Sequence, residues 1–160
     1  MIIYTDGSAH PNPGPGGFGV VIYDNNNLID CYQHFEENTT NNRQEIKAIL
    51  YAFLKYGKKW DSNSDIPTVY SDSNYCVNTL TLWMFSWAKD GWIKSDKKIP
   101  ENLDLIQAYY DWYKKGYRIN LQKISGHKGI EGNELADKLA TGKIKPSEVK
   151  NKYSGTGQDN

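Results

Sequence analysis

Residues 1–17, MIIYTDGSAHPNPGPGG, raise the question on which the fold turns. Ile2, Ile3 and Tyr4 read as the start of a buried strand. The run ends on a carboxylate, Asp6, and Gly7 and Ser8 then lead into a Pro/Gly-rich loop. No Lys or Arg occurs in the first forty-two residues to neutralise that acid. The same pattern recurs at Asp72, where TVYS runs into DS. If the two strands lie parallel and adjacent, both carboxylates project from one sheet edge, where open α/β sheets place their ligands.

The rest of the chain supports such a sheet. Gly19–Tyr23 and Leu28–Phe35 read as two further strands joined by the turn signal DNNN at 24–27. The period then changes: Ile46, Ile49, Leu50, Phe53 and Leu54 recur at helical spacing, predicting a helix from Asn42 to about Tyr56. IPTVY at 66–70 is a short strand, and SDSNYCVNTL after it opens with N-cap residues and continues as a helix. Pro100 suits a helix start ahead of a stripe of Leu103, Ile106, Tyr110 and Tyr113. Arg118–Ile124 alternates as a strand, and SGHKGIEGN is a loop before a short helix carrying Leu135, Ala136, Leu139 and Ala140. Strands first, then helices alternating with strands, predict an α/β fold with a mixed sheet covered by helices.

Composition sets bounds on function. With 160 residues, 38% apolar and 13% aromatic, the chain suits one globular domain. It has no apolar run near the roughly twenty residues of a membrane span. No signal peptide is expected, and Cys31 and Cys76 lack metal-ligand spacing and read as buried thiols. Net charge is zero but unevenly spread. The charges before Arg43 are all acidic, and those from Lys114 to Lys128 are all basic (Lys114, Lys115, Arg118, Lys123, Lys128). The basic run fits either a nucleic-acid contact or a solvated helix end and strand face.

Two more acids join the pair. Glu45 lies near the start of the first long helix, in TTNNRQEI, and Asp137 lies beside the apolar stripe of NELADKLA. Each acid has a plainer reading. Asn42 and Glu45 fit a capping box, Asp72 fits a helix cap, and Asp137 fits a solvated helix acid. Were all four to converge, charges roughly 5 Å apart would repel by about 3 kcal/mol at an effective dielectric of 20. Such carboxylates protonate or recruit cations, and oxygen-only donors suit Mg²⁺ or Mn²⁺ better than zinc. Two such ions about 4 Å apart can hydrolyse a phosphodiester.

The segments YTDGSAHPNPGPGGFG, TTNNRQEIKAI, YSDSNYCV and GHKGIEGNELADKLA, in that order, resemble ribonuclease H type 1, the cellular enzymes of the RNase H-like fold. The likeness covers about residues 1–142 and leaves 143–160 as a polar C-terminal tail. It implies a five-stranded mixed sheet with helices on both faces. It also implies two Mg²⁺ ions, with Mn²⁺ as a substitute, held by Asp6, Glu45, Asp72 and Asp137. The substrate implied is an RNA–DNA hybrid, with its RNA strand cut to 5′-phosphate and 3′-hydroxyl ends. His127, on the loop SGHKG, takes the place of a histidine that assists proton transfer or product release, and Glu134 that of an aid to metal exchange.

Substrate contacts follow from the same resemblance. Asn12, Asn41 and Asn74 can bond a 2′-hydroxyl without reading base identity. Asn74 stands where the family usually has Gln, and Pro11 where it commonly has Gly. Arg43 suits a phosphate of the DNA strand. The stretch LWMFSWAKDGWIKSDKKIP resembles the family's basic protrusion, with Trp83 or Trp87 offering a flat face to deoxyribose and Trp92 bracing the loop. Ordinary core packing is the other reading of these tryptophans. Lys89, Lys94, Lys97 and Lys98 are diluted there by Asp90 and Asp96, which predicts weaker and more salt-sensitive binding. The expectation is a cytoplasmic, distributive monomer that needs no membrane. The rival readings are another nuclease on the same fold, a non-catalytic hybrid-binding module and a metal-stabilised structural domain.

Overall fold

Three antiparallel strands begin the structure, a computed structural model that describes residues 1–61, 63, 65–124 and 129–153: β1 (Ile2–Ala9), β2 (Gly14–Asp24) and β3 (Asn27–Thr39). The turn between β2 and β3 folds as its composition requires. Asn25 and Asn26 both take positive φ, 49° and 67°, the geometry whose twist matches a two-residue hairpin.

The strands are longer than their apolar runs. β1 continues through Asp6 to Ala9, and β2 begins inside the Pro/Gly segment. The glycines that made 14–19 look like loop are strand glycines under close backbone approach. A Cβ at Gly19 would overlap the Ala136 carbonyl oxygen of a helix packed on β2.

Helix α1 (Asn41–Tyr56) follows, capped by Thr40, whose Oγ1 accepts from the Arg43 amide at 3.1 Å. The cap is thus neither Asn42 nor Glu45, and the capping-box reading of that pair falls. A two-residue strand, β4 (Lys58–Lys59), precedes β5 (Thr68–Ser71). Next come α2 (Asn74–Asn78), a π-helical turn over Thr79–Trp83, and α3 (Met84–Lys89). Helix α4 (Leu103–Lys114) starts three residues after Pro100, because Asn102 at its cap is left-handed (φ 59°). The strand expected at 118–124 is split into β6 (Tyr117–Arg118), paired with β4, and β7 (Asn120–Lys123). Helices α5 (Glu131–Ala140) and α6 (Pro146–Tyr153) complete the described chain.

The main sheet has five strands in the order β3-β2-β1-β5-β7. β1 runs antiparallel to β2 and parallel to β5, and β5 runs parallel to β7. Strand alternation gives each face its own core. Ile3, Val20, Ile22, Val69 and Leu121 point to one side, against Ile46, Ile49 and Phe53 of α1, Met84 of α3 and Ile106 of α4. Val21, Leu28 and Cys31 point to the other, against Leu135, Ala136 and Leu139 of α5 and Val149 of α6. Helices therefore cover both faces.

Part of the segment that reads as a polar tail is thus folded. Val149 is fully buried, and Lys150 reaches Asp30 of β3 at 3.2 Å. Gln33 of β3 donates to the carbonyls of Leu139 and Ile144, at 2.9 and 3.1 Å, and so secures the end of α5. The basic run divides as well. Lys114, Lys115 and Arg118 lie at the end of the sheet away from the carboxylates, where Arg118 donates to the carbonyls of Tyr113 and Tyr117. Lys123 pairs in register with Ser71, beside Asp72.

Candidate active site

The parallel register Ile3↔Val69 and Tyr4↔Tyr70 carries forward to set Asp6 beside Asp72 at the carboxyl ends of β1 and β5. Glu45 reaches the same point from the first turns of α1. One carboxylate oxygen each from Asp6, Glu45 and Asp72 lies within 4.8 Å of the others. Asp137, on the exposed side of α5, lines a cleft of about 270 Å³ with Asp6, Asp72, Asn133, Glu134 and Lys138. The four acids picked out by sequence therefore share one site. Asp72 is not the cap of α2, since Ser73 accepts the Cys76 amide at 3.2 Å.

Two glycines allow the convergence. At Gly7 a Cβ would overlap the backbone of Gln44 and Glu45, so α1 can lie directly against β1. Gly19, opposite Asp6 in register, likewise admits α5 and with it Asp137.

The site's electrostatics follow from burial. Asp6 and Glu45 are 6% and 7% exposed. Burial is the main force pushing the Asp6 carboxyl up to about 7. A hydrogen bond from Glu45 pulls it down, while the charge of Asp72 and the hydrogen bond and charge of Asp137 push it further up. Glu45 is driven well above the usual carboxylate range, again first by burial and then by the charges of Asp6 and Asp72. Gly7 donates its amide to Asp6 Oδ1 at 3.0 Å, and Ser71 Oγ lies 3.4 Å from Glu45 Oε2. These bonds orient the carboxylates but do not neutralise them, so burial and mutual repulsion favour the protonated forms of Asp6 and Glu45 where no cation offsets their charge. Oxygen donors alone, on rigid elements, fit a hard divalent cation.

The other predicted residues divide. Asn12 and Asn41 form one chain: Asn12 Oδ1 accepts from the Asn41 amide at 3.1 Å, and Asn41 Oδ1 from the Ala9 amide at 2.6 Å. Asn74 is exposed on the first turn of α2. Arg43 pairs with Asp104 of α4 at 2.7 Å. Trp83 is 40% exposed, its ring 6.3 Å from Trp87 and 5.9 Å from Tyr75. Trp87 is half-buried and accepts the Trp92 amide on its carbonyl at 2.6 Å, and Trp92 packs edge-on against Tyr110. Glu134 lines the cleft and accepts the Gly129 amide at 3.1 Å. His127 lies outside the described residues. Sequence reasoning missed Ser71, Asn133 and Lys138, of which the first and last had a signal in standing next to Asp72 and Asp137. It also missed Asn102 and Asp104, which have none, because fifty-nine residues or more of chain separate them from Arg43.

Comparison with known proteins agrees with this geometry. A sequence profile described as RNase H matches residues 1–145. A protein named Ribonuclease H from Thermoanaerobacter sp. (strain X514) is 40% identical over 144 residues, covering 89% of this chain and 88% of its own length. Among solved structures, LC9-RNase H1, a type 1 RNase H with the type 2 active-site motif, superposes with a TM-score of 0.70. It is 27% identical, over 88% of this chain and 70% of that one. LC11-RNase H1, solved in complex with RNA/DNA hybrid, gives a TM-score of 0.61 at 28% identity, over 92% of this chain and 97% of that one.

Proposed function

This chain belongs to the ribonuclease H family, and from that premise we propose that it is an endonuclease hydrolysing the RNA strand of RNA–DNA hybrids, leaving 5′-phosphate and 3′-hydroxyl ends. The observation that carries the reading is the meeting of Asp6, Glu45 and Asp72 within 4.8 Å, with Asp137 across the cleft. Charges so placed repel by about 3 kcal/mol per pair at an effective dielectric of 20, a cost a protein keeps where it serves a cation. The family is metal-dependent, and the donor set fits two Mg²⁺ ions, or Mn²⁺ in their place, which when bound would activate water and offset charge on the leaving oxygen.

The chain's own groups divide the remaining tasks. Asp6, between Glu45 and Asp137, anchors the ligand set, and Gly7 and Ser71 fix the directions of Asp6 and Glu45. Asn12 and Asn41 spend their carbonyl oxygens on the backbone, so their NH₂ groups are left to donate to 2′-hydroxyls of the RNA. Asn74 extends that edge. Arg43 takes a DNA phosphate, and Trp83 with Trp87 offers the sugar a flat surface. His127 assists proton transfer or product release. The enzyme acts as a cytoplasmic monomer.

The test is cleavage of an end-labelled hybrid in Mg²⁺ beside duplex RNA, duplex DNA and single-stranded RNA, with Asp72→Asn as control. Hybrid-only cleavage that the variant abolishes is the expected result. Tight binding without cleavage in either Mg²⁺ or Mn²⁺ would replace this reading with a hybrid-binding module.

A further inference from the structure

The Arg43 side chain is held at one end by two residues at the start of α4. Its guanidinium has five N–H donors. Nη1 donates to Asp104 Oδ1 at 3.0 Å and to Asn102 Oδ1 at 3.3 Å, and Nη2 donates to Asp104 Oδ2 at 2.7 Å. These bonds use both Nη1 hydrogens and the inner hydrogen of Nη2. The two left over, on Nε and the outer side of Nη2, share one edge and point the same way. That parallel pair is the fork that matches two oxygens of one phosphate.

The start of α4 is shaped to make this grip. Asn102 occupies the N-cap position, where its side chain would ordinarily accept a helix amide. It makes no such bond, and its oxygen goes to Arg43 instead. The Arg43 backbone is fixed from the other side, its amide bonded to the Thr40 cap. Arg43 also lines a cavity of about 380 Å³ with Pro13, Gly14, Asn38, Thr39 and Thr40. A carboxylate that competed with substrate would take the phosphate-matching edge. Asp104 takes the end of the guanidinium, and among the described residues that edge makes no hydrogen bond.

We propose that Asp104 is a positioning residue for substrate: with Asn102 it clamps the far end of Arg43 so that the Nε–Nη2 edge meets a phosphate of the hybrid's DNA strand. This rests on the hybrid-cleaving reading above. Asp104→Asn puts an NH₂ group where an acceptor stood, facing an Arg43 donor, and the guanidinium swings away. The expected result is a KM for hybrid raised about tenfold, the worth of a charge-assisted hydrogen bond, with kcat reduced by less than about twofold. Asp104→Glu, which restores the paired acceptors, recovers part of the loss.

The decisive experiment combines a double-mutant cycle with a scan of single methylphosphonates along the DNA strand. Arg43→Lys raises KM, and Asp104→Asn added to it does no further harm. One methylphosphonate position weakens binding to the wild type about tenfold and to Asp104→Asn by no more than about twofold. A lowered KM in Asp104→Asn would overturn the proposal and make Asp104 a competitor of the phosphate. So would an equal rise in the Arg43→Lys background, which would show action independent of Arg43. A wild type that cleaves no hybrid fails the functional reading as well. A wild type that cleaves hybrid with no coupling in the cycle fails this proposal alone.

Discussion

Gly7 and Gln44 touch backbone to backbone: a Cβ on Gly7 would overlap the Gln44 carbonyl group and the Glu45 nitrogen. β1 and α1 are rigid elements, so the overlap can be relieved only by separating them, which moves Glu45 away from Asp6. Gly7→Ala is expected to cost about 1–3 kcal/mol, the usual range for overpacking. It should also lower hybrid cleavage at least tenfold, with part of the loss recovered at high metal concentration. Thermal unfolding and a metal titration of cleavage check both. A variant as stable and active as the wild type would show that the helix position does not set the ligand geometry.

The paired acids make metal-free stability fall as pH rises. A carboxyl whose folded pKa lies above its unfolded one adds stability that is complete below the unfolded value, 3.8 for Asp, and is lost as pH climbs through about 7. The carboxylates of Asp30, Glu36 and Asp104, whose pKa values are lowered by their Lys and Arg partners, work the other way. They are already ionised above about pH 5. Between about pH 5 and 8 in chelator, therefore, the protein should lose a few kcal/mol, roughly 5–10 °C in Tm. Millimolar Mg²⁺ should restore more of this at pH 8 than at pH 5. Asp6→Asn should raise the metal-free Tm at pH 8 while abolishing cleavage. A metal-free Tm that is flat or rising over that window would contradict the upward shifts at Asp6 and Glu45.

Much of this was legible from residue types alone. Acids ending the strands at Asp6 and Asp72, and the apolar period around Glu45, set both the layered fold and the cluster, because strand direction and helical period are local properties. Three features were not legible, each for a different reason. The start of β2 through Gly14–Gly19 looks like loop until the neighbouring backbone and, at Gly17 and Gly19, helix α5 that press on those glycines are known. The clamp on Arg43 joins α1 to α4 across fifty-nine residues or more, and no local pattern marks it. The docking of α6 rests mainly on Val149, the one buried aliphatic side chain within the helix, and so sparse an apolar pattern does not mark a packed helix.

That docking predicts a separation between stability and activity. α6 contributes one fully buried valine and the Lys150–Asp30 pair, far from the carboxylates. Ending the chain after Lys145 should cost about 2 kcal/mol from the lost apolar burial, roughly 4–8 °C in Tm. Cleavage at 25 °C should stay within about twofold of the full chain. Val149→Ala should reproduce most of the Tm loss. A truncated chain that is stable but inactive would give the segment a part in substrate handling.

Trp83 and Trp87 stand 6.3 Å apart but differ in their support. Trp83 is 40% exposed, whereas Trp87 packs on the core of the α1 face and anchors Trp92 through its carbonyl. Removing an exposed stacking surface costs about 1–3 kcal/mol of binding and little folding energy. Emptying a packed site costs about 3–5 kcal/mol of stability. Trp83→Ala should therefore raise KM for hybrid about tenfold with Tm unchanged within about 2 °C, and Trp87→Ala should lower Tm by roughly 6 °C or more as well as weaken binding. The Trp83→Ala defect should persist from about 50 to 200 mM salt, because stacking carries no counterions, whereas Lys89→Ala should lose its effect as salt rises. Measured together, Tm and KM assign each ring. A Trp83→Ala protein that unfolds early but binds hybrid normally would return Trp83 to the core.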